Sequence, residues 1–318
     1  MGRVRLFQSC IRLFSALPLS QAVGTVVQLR RNRASSMAVN DALAHTLQQF
    51  LHPAAQLNTP DSQQACITLL KEMKETRQED QQVTSLLQAF MSGAPDVRHL
   101  AEAYHLARQM LTPSVEFFPL AERRLLKDLQ DSRESELMYE ALKVYSGLGC
   151  AKLPISSVQK QLADVIDAKL VRDPDSWSKP SLFCLVIHTA AKISYASESL
   201  RSLLSSQLPA ELRELEASGT FHTLGVVCSS ACRLRLPKHH LEATVMQAVV
   251  RVQDELYVKH VVNIVFYLSE KSYYNREFFQ KVMPALEKAV ERAGVPHFAV
   301  MLNATKSKLA VMEAQLPS

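Results

Sequence analysis

The chain has 318 residues, 47% hydrophobic and 21% charged, with a formal net charge of +5; that balance belongs to a folded globular protein and excludes a disordered tail. Glycine occurs only eight times, which argues against turn-rich β architectures and phosphate-cradling loops, because both use glycine where φ must be positive. The basic excess is local: Arg3, Arg5, Arg12, Arg30, Arg31 and Arg33 precede the first acid, Asp41. Without these six, 30 basic residues face 31 acidic ones, a net charge near −1.

Residues 1–36 are Arg-rich, hold Ser9, Ser15, Ser20, Ser35 and Ser36, and place Leu6, Phe7, Ile11, Leu13, Phe14 and Leu17 close to helical spacing. This pattern predicts a mitochondrial transit peptide, cleaved between Arg31 and Met37, and hence a matrix protein. Arg12 and Pro18 interrupt the apolar stretch a secretory signal would need. No later run approaches the roughly 20 apolar residues of a bilayer span; Leu182 to Ile193 comes closest, with His188 and Lys192 inside it. Cys66, Cys150, Cys184, Cys228 and Cys232 contain no C-x-x-C pair and read as reduced core cysteines.

Beyond the leader, residues 37–96 form an N-terminal helical segment. Ala42 to Leu51 reads as a short amphipathic helix closed by His52-Pro53, and Asp61 to Phe90 as one or two helices whose polar middle, KEMKETRQEDQQ, is a solvated face. Gly93-Ala94-Pro95 breaks the chain, and Asp96 is placed to N-cap Val97 to Leu111.

Residues 97–318 become repetitive. Four joints align: KLPISSVQKQL (152–162), SYASESLRSLL (194–204), RLPKHHLEATV (235–245) and SYYNREFFQKV (272–282). Each carries an apolar residue followed five positions later by another: Leu153 with Val158, Tyr195 with Leu200, Leu236 with Leu241, Tyr273 with Phe278. The joints recur at 42, 41 and 37 residues, and a dense apolar helix precedes each: Leu137 to Leu148, Leu182 to Ile193, Leu224 to Leu234, Val261 to Leu268. Two helices per unit at a period of about 37–42 residues predict an all-α fold, an α-solenoid of helical hairpins. Pro113 and Phe117 mark a weaker earlier copy, and Phe298 to Val311 a half-unit or cap. Tyr273, Tyr274, Phe278 and Phe279 are expected in the repeat core.

The stretch VNIVFYLSEKSYYNREFFQKVMPALEKAV, an apolar helix, a small polar turn, tyrosine, then an acidic-Phe-Phe helix, resembles the unit of heptatricopeptide and octotricopeptide (FAST-kinase-like) helical repeat proteins of mitochondria. The resemblance spans roughly residues 136–310. It implies an RNA-metabolism factor or mitoribosome component, whose partners are protein subunits of a mitochondrial ribonucleoprotein complex and RNA itself. Many such proteins carry a C-terminal RAP domain; the helical pattern running to Ser318 leads us to expect none here. The resemblance supplies no catalytic residue.

No G-x-S-x-G, H-E-x-x-H or phosphate-loop spacing occurs, so no enzyme, cofactor or small-molecule substrate is expected. His222, Cys228, Cys232, His239 and His240 crowd together, but Cys228 and Cys232 sit in the inner-helix pattern GVVCSSACRL, where cysteine packs as a small hydrophobe. The residues that packing does not require are basic and lie at the joints. Arg233, Arg235, Lys238, His239 and His240, with Lys259, His260, Lys271, Arg276 and Lys281 in the next unit, form an RNA-contacting strip if successive joints align. The expected function is a non-enzymatic scaffold in mitochondrial RNA editing, processing or stability. The alternative is a structural or assembly subunit of the mitoribosome or a respiratory complex with protein contacts only.

Overall fold

The computed structural model describes residues 18–52, 57–76, 80–110, 116–133, 136–150, 155–177 and 179–315. Leu153 and Pro113, two of the joint positions expected above, lie outside them. The fold is all-α, and among the described residues no strand occurs. The helices are α1 (Leu19–Arg31), α2 (Ser36–Leu51), α3 (Pro60–Thr76), α4 (Asp80–Ser92), α5 (Val97–Met110), α6 (Phe117–Asp131), α7 (Met138–Leu148), α8 (Ser157–Arg172), α9 (Pro180–Ile193), α10 (Glu198–Ala217) and α11 (Phe221–Arg233). After them, α12 runs as Lys238–His240, a π-helical Leu241–Met246 and Gln247–Val252; α13 (Val258–Glu270), α14 (Arg276–Ala293) and α15 (Pro296–Ala314) complete the chain. Two compact units, Met1–Val165 and Ile166–Ser318, divide it.

Both units build hairpin on hairpin, as an α-solenoid does. In the first, α1, α3, α5 and α7 stack in turn as one layer, with α2, α4 and α6 as the second. The stacking therefore starts well before residue 97. In the second unit α9, α11, α13 and α15 form one layer and α10, α12 and α14 the other. The helices that the apolar patterns foresaw supply the closely packed layer: Phe183, Ile187, Leu224, Cys228, Val262 and Val265 are fully buried. Close approach depends on two glycines. A Cβ on Gly147 would stand 2.9 Å from the Tyr104 ring, and one on Gly225 would stand 2.7 Å from the His260 ring.

The three joints whose turns lie within the described residues share one mechanism of closure. Ser194, Arg235 and Ser272 each adopt a left-handed φ, of 55°, 60° and 56°. The next residue donates its N–H back to a carbonyl five residues earlier: Tyr195 to Ala190 at 3.1 Å, Leu236 to Ala231 at 3.5 Å, Tyr273 to Leu268 at 2.9 Å. This is the helix-ending turn that satisfies orphan carbonyls and wants an apolar residue just after the left-handed one. The recurring apolar position in the sequence is therefore the lock of the turn. Its partner five residues on is core, since Leu200, Leu241 and Phe278 are all buried.

Buried polar side chains tie one hairpin to the next. Gln63 on α3 accepts the N–H of Asp96, the N-cap of α5, at 3.2 Å, and Asp167 on α8 accepts that of Ser197, the N-cap of α10, at 2.6 Å. Glu122 Oε1 accepts from the Tyr104 hydroxyl, Arg108 and Gln159 at 3.0, 2.6 and 2.7 Å. Each of these donors compensates hydrogen bonds to water that the enclosed carboxylate gives up.

Several expectations need correction. The helix expected over Ala42 to Leu51 begins earlier, at Ser36. Glu72, placed by its charge run on a solvated face, is 4% exposed and takes Arg30 of α1 at 2.5 and 3.1 Å. With Ala22, Val23 and Val26 also buried, α1 is an integral part of the first unit, packed on α2 and α3. A cut between Arg31 and Met37 would remove it and leave Glu72 without its arginine.

Candidate nucleic-acid interface

Helices two apart in a hairpin stack run the same way, so the C-terminal ends of α9, α11 and α13 fall on one edge of the second unit. Arg233, the last residue of α11, is exposed, donates to the Lys192 carbonyl of α9 at 3.5 Å, and holds its guanidinium 5.8 Å from the Tyr267 ring centre on α13. Arg235, two residues on, sits exposed on the left-handed turn. Burial and then the neighbouring Arg235 and Lys308 lower the pKa of Lys271, against Glu270, which raises it. Lys308 of α15 also reaches Glu270. Five cations from four stacked helices and their turns, Lys192, Arg233, Arg235, Lys271 and Lys308, thus line one edge. Among the described residues no carboxylate forms an ion pair with Arg233, Arg235 or Lys271.

Aromatic rings interleave with them. Tyr267, Tyr273 and Tyr274 are half-exposed, whereas Phe278 and Phe279 are 3% and 4% exposed. The expectation that all four repeat aromatics are core holds for the phenylalanines and fails for the tyrosines. Tyr273 and Tyr274 sit at the turn after α13, and the Tyr274 hydroxyl donates to Glu313 at 2.5 Å.

The other expected residues are placed differently. Lys238 is exposed and pairs with Glu242 at 3.6 Å, while the rings of His239 and His240 lie 4.2 Å apart at the start of α12. Arg276 opens α14, exposed, and Lys281 bonds Glu277 at 2.7 Å. Lys259 begins α13, twelve residues from Lys271, which at 1.5 Å per residue sets it roughly 18 Å away at the opposite end of the helix. His260 is buried, 3.3 Å from His222, so neither Lys259 nor His260 belongs to the joint edge. Lys192 and Lys308 were missed. The repeat period could have found them, because Lys192 stands 41 residues before Arg233 and Lys308 stands 37 after Lys271.

The crowded His and Cys side chains do not converge. Cys228 and Cys232 are buried in α11, where burial pushes the Cys228 thiol up to about 12. Among the described residues no group of three or more His, Cys, Asp or Glu stands together as a metal site would require. Among them also, no helix is long and apolar enough to cross a membrane. Comparison with protein-family models and with curated proteins finds no match.

Proposed function

We propose that the chain is a non-enzymatic helical-repeat scaffold of mitochondrial RNA metabolism, and that the joint edge of its second unit holds single-stranded RNA. The observation that carries this reading is the edge itself, with its run of cations and half-exposed tyrosines. Basic tracks that neutralise phosphates, beside rings on which bases stack, are how proteins grip a single strand without reading its sequence. The leader composition supports the mitochondrial assignment. With α1 packed into the fold, we place the end of any leader before Leu19. Only Arg3, Arg5 and Arg12 are then lost, leaving 33 basic against 31 acidic residues, a net charge near +2.

So small a net charge also favours a second reading, an assembly subunit of the mitoribosome or a respiratory complex with protein contacts only. Purification of C-terminally tagged protein from mitochondria, with and without RNase, separates the two. Recovery of RNA-processing proteins together with RNase-sensitive RNA supports the first reading, and recovery of respiratory subunits without RNA supports the second.

A further inference from the structure

The first unit holds a groove of about 1030 Å³ walled by α6 and the last turn of α4. Its apolar lining is Met91, Phe117 and Leu120; Phe117 belongs to the core, but Leu120 is 53% exposed in the middle of the α6 wall. One and two turns further along that wall stand Arg123, Arg124 and Lys127. Their own unit answers only part of this charge. Arg124 has Asp128 at 3.8 Å, and the other acid, Glu116, accepts a hydrogen bond from Gln88 at 2.8 Å. Arg123 and Lys127, four residues apart on one side of α6 and exposed, have no ion-pair partner among the described residues. Like charges at this spacing oppose the helix that carries them.

We propose that this groove docks an acidic amphipathic helix of a partner protein. An apolar anchor at Leu120 and Met91, followed along α6 by cations four residues apart, is the complement of a helix presenting leucines with acidic residues at i and i+4. Other occupants fit worse. The chain's own residues 1–17 carry Arg3, Arg5 and Arg12 and no acid, and a second copy of the groove would set the same cations face to face. The proposal is independent of RNA binding at the joint edge, since it concerns the other unit and a ligand anchored by an apolar face.

The test uses the full chain and two synthetic helical peptides of 18 residues, one with leucines at i, i+3 and i+7 beside glutamates at i+4 spacing, the other with lysine in place of every glutamate. Fluorescence anisotropy should show the acidic peptide bound and the basic one not. The double variant Arg123→Glu, Lys127→Glu should weaken the acidic peptide by about tenfold or more and gain the basic one. Leu120→Ala should weaken the acidic peptide several-fold, and circular dichroism should show each variant as helical as the parent. Equal binding of both peptides, indifference to the charge reversal, or a charge effect with none from Leu120 would each overturn the proposal.

Discussion

The guanidinium of Arg233 on α11 stands 5.8 Å from the ring centre of Tyr267 on α13, so a cation of one hairpin rests beside an aromatic of the next. Such a contact at the surface contributes only about 0.5–1 kcal/mol to stability, whereas a ring that stacks a base contributes far more to binding. Tyr267→Ala should therefore lower the affinity for a single-stranded RNA 12-mer by about 5- to 100-fold while melting within a few degrees of the parent. Anisotropy and a thermal melt on the same sample check both halves.

Arg235 occupies a position where glycine would sit more comfortably. For an L-residue the left-handed conformation costs roughly 1–2 kcal/mol, and nothing in the described fold repays Arg235 for it. Arg235→Gly should raise stability by up to about 1 kcal/mol by chemical denaturation and weaken RNA binding. A variant that is both less stable and equally tight would show that the side chain serves the fold.

Packing between stacked helices sets the larger stability terms. Phe278 is 3% exposed between α12 and α14, and Phe278→Ala should cost about 3–5 kcal/mol in urea unfolding. Gly225→Ala forces a methyl group against the His260 ring, which should cost about 1–3 kcal/mol. Both losses should be felt chiefly by hydrogen exchange in the neighbouring hairpins.

His260 gives the second unit a pH dependence of definite sign. Burial first, then Lys259, His222 and His188, lower its pKa from 6.5 to about 4. The unfolded chain therefore binds the proton more readily, and this contribution to stability is full above pH 6.5 and lost as pH falls toward 4. Glu211 works in the opposite direction, since burial and then Glu214 raise its pKa from 4.5 to about 7. The parent thus carries two opposed slopes over much of the same range. His260→Gln should remove one of them, so on going from pH 7 to pH 5 the melting temperature of the variant should rise relative to that of the parent.

Cleavage is tested by N-terminal sequencing of the protein recovered from mitochondria. The packed α1 and the Arg30–Glu72 pair predict a start upstream of Leu19. Cutting there removes the buried Ala22, Val23 and Val26 of α1 and leaves the buried Glu72 without Arg30, so a chain starting at residues 32–38 should melt well below one that keeps α1. Recovery of a stable protein starting there would contradict the fold described for the first unit.

Much of this architecture was legible because the hairpin repeat writes itself twice, as an apolar helix pattern and as a joint. Tyr195, Leu236 and Tyr273 were visible as a periodic apolar position, although their task, locking a left-handed turn, needed the backbone. The first unit was read poorly because its helices bury polar residues. Glu72 stands in a charge run that reads as a solvated face, yet it is buried against Arg30, 42 residues away in the chain. At the candidate site, periodicity placed Arg233, Arg235 and Lys271 on one edge and could have added Lys192 and Lys308. It could not show that Lys259 lies at the far end of α13, since strip membership depends on which end of a helix a residue occupies.

The central claim, that the joint edge holds single-stranded RNA, is tested most directly by the salt dependence of binding. Parent and the triple variant Arg233→Gln, Arg235→Gln, Lys271→Gln should be titrated against a fluorescent single-stranded RNA 12-mer and its duplex across a range of salt. The account predicts tighter binding of the single strand, a weaker triple variant, and a slope of log affinity against log salt reduced by up to about 0.7 for each lost contact. Folding should change by no more than about 1 kcal/mol, the lost Arg233–Tyr267 contact included. Unchanged affinity and slope in a folded triple variant, or no RNA binding by the parent, would contradict it.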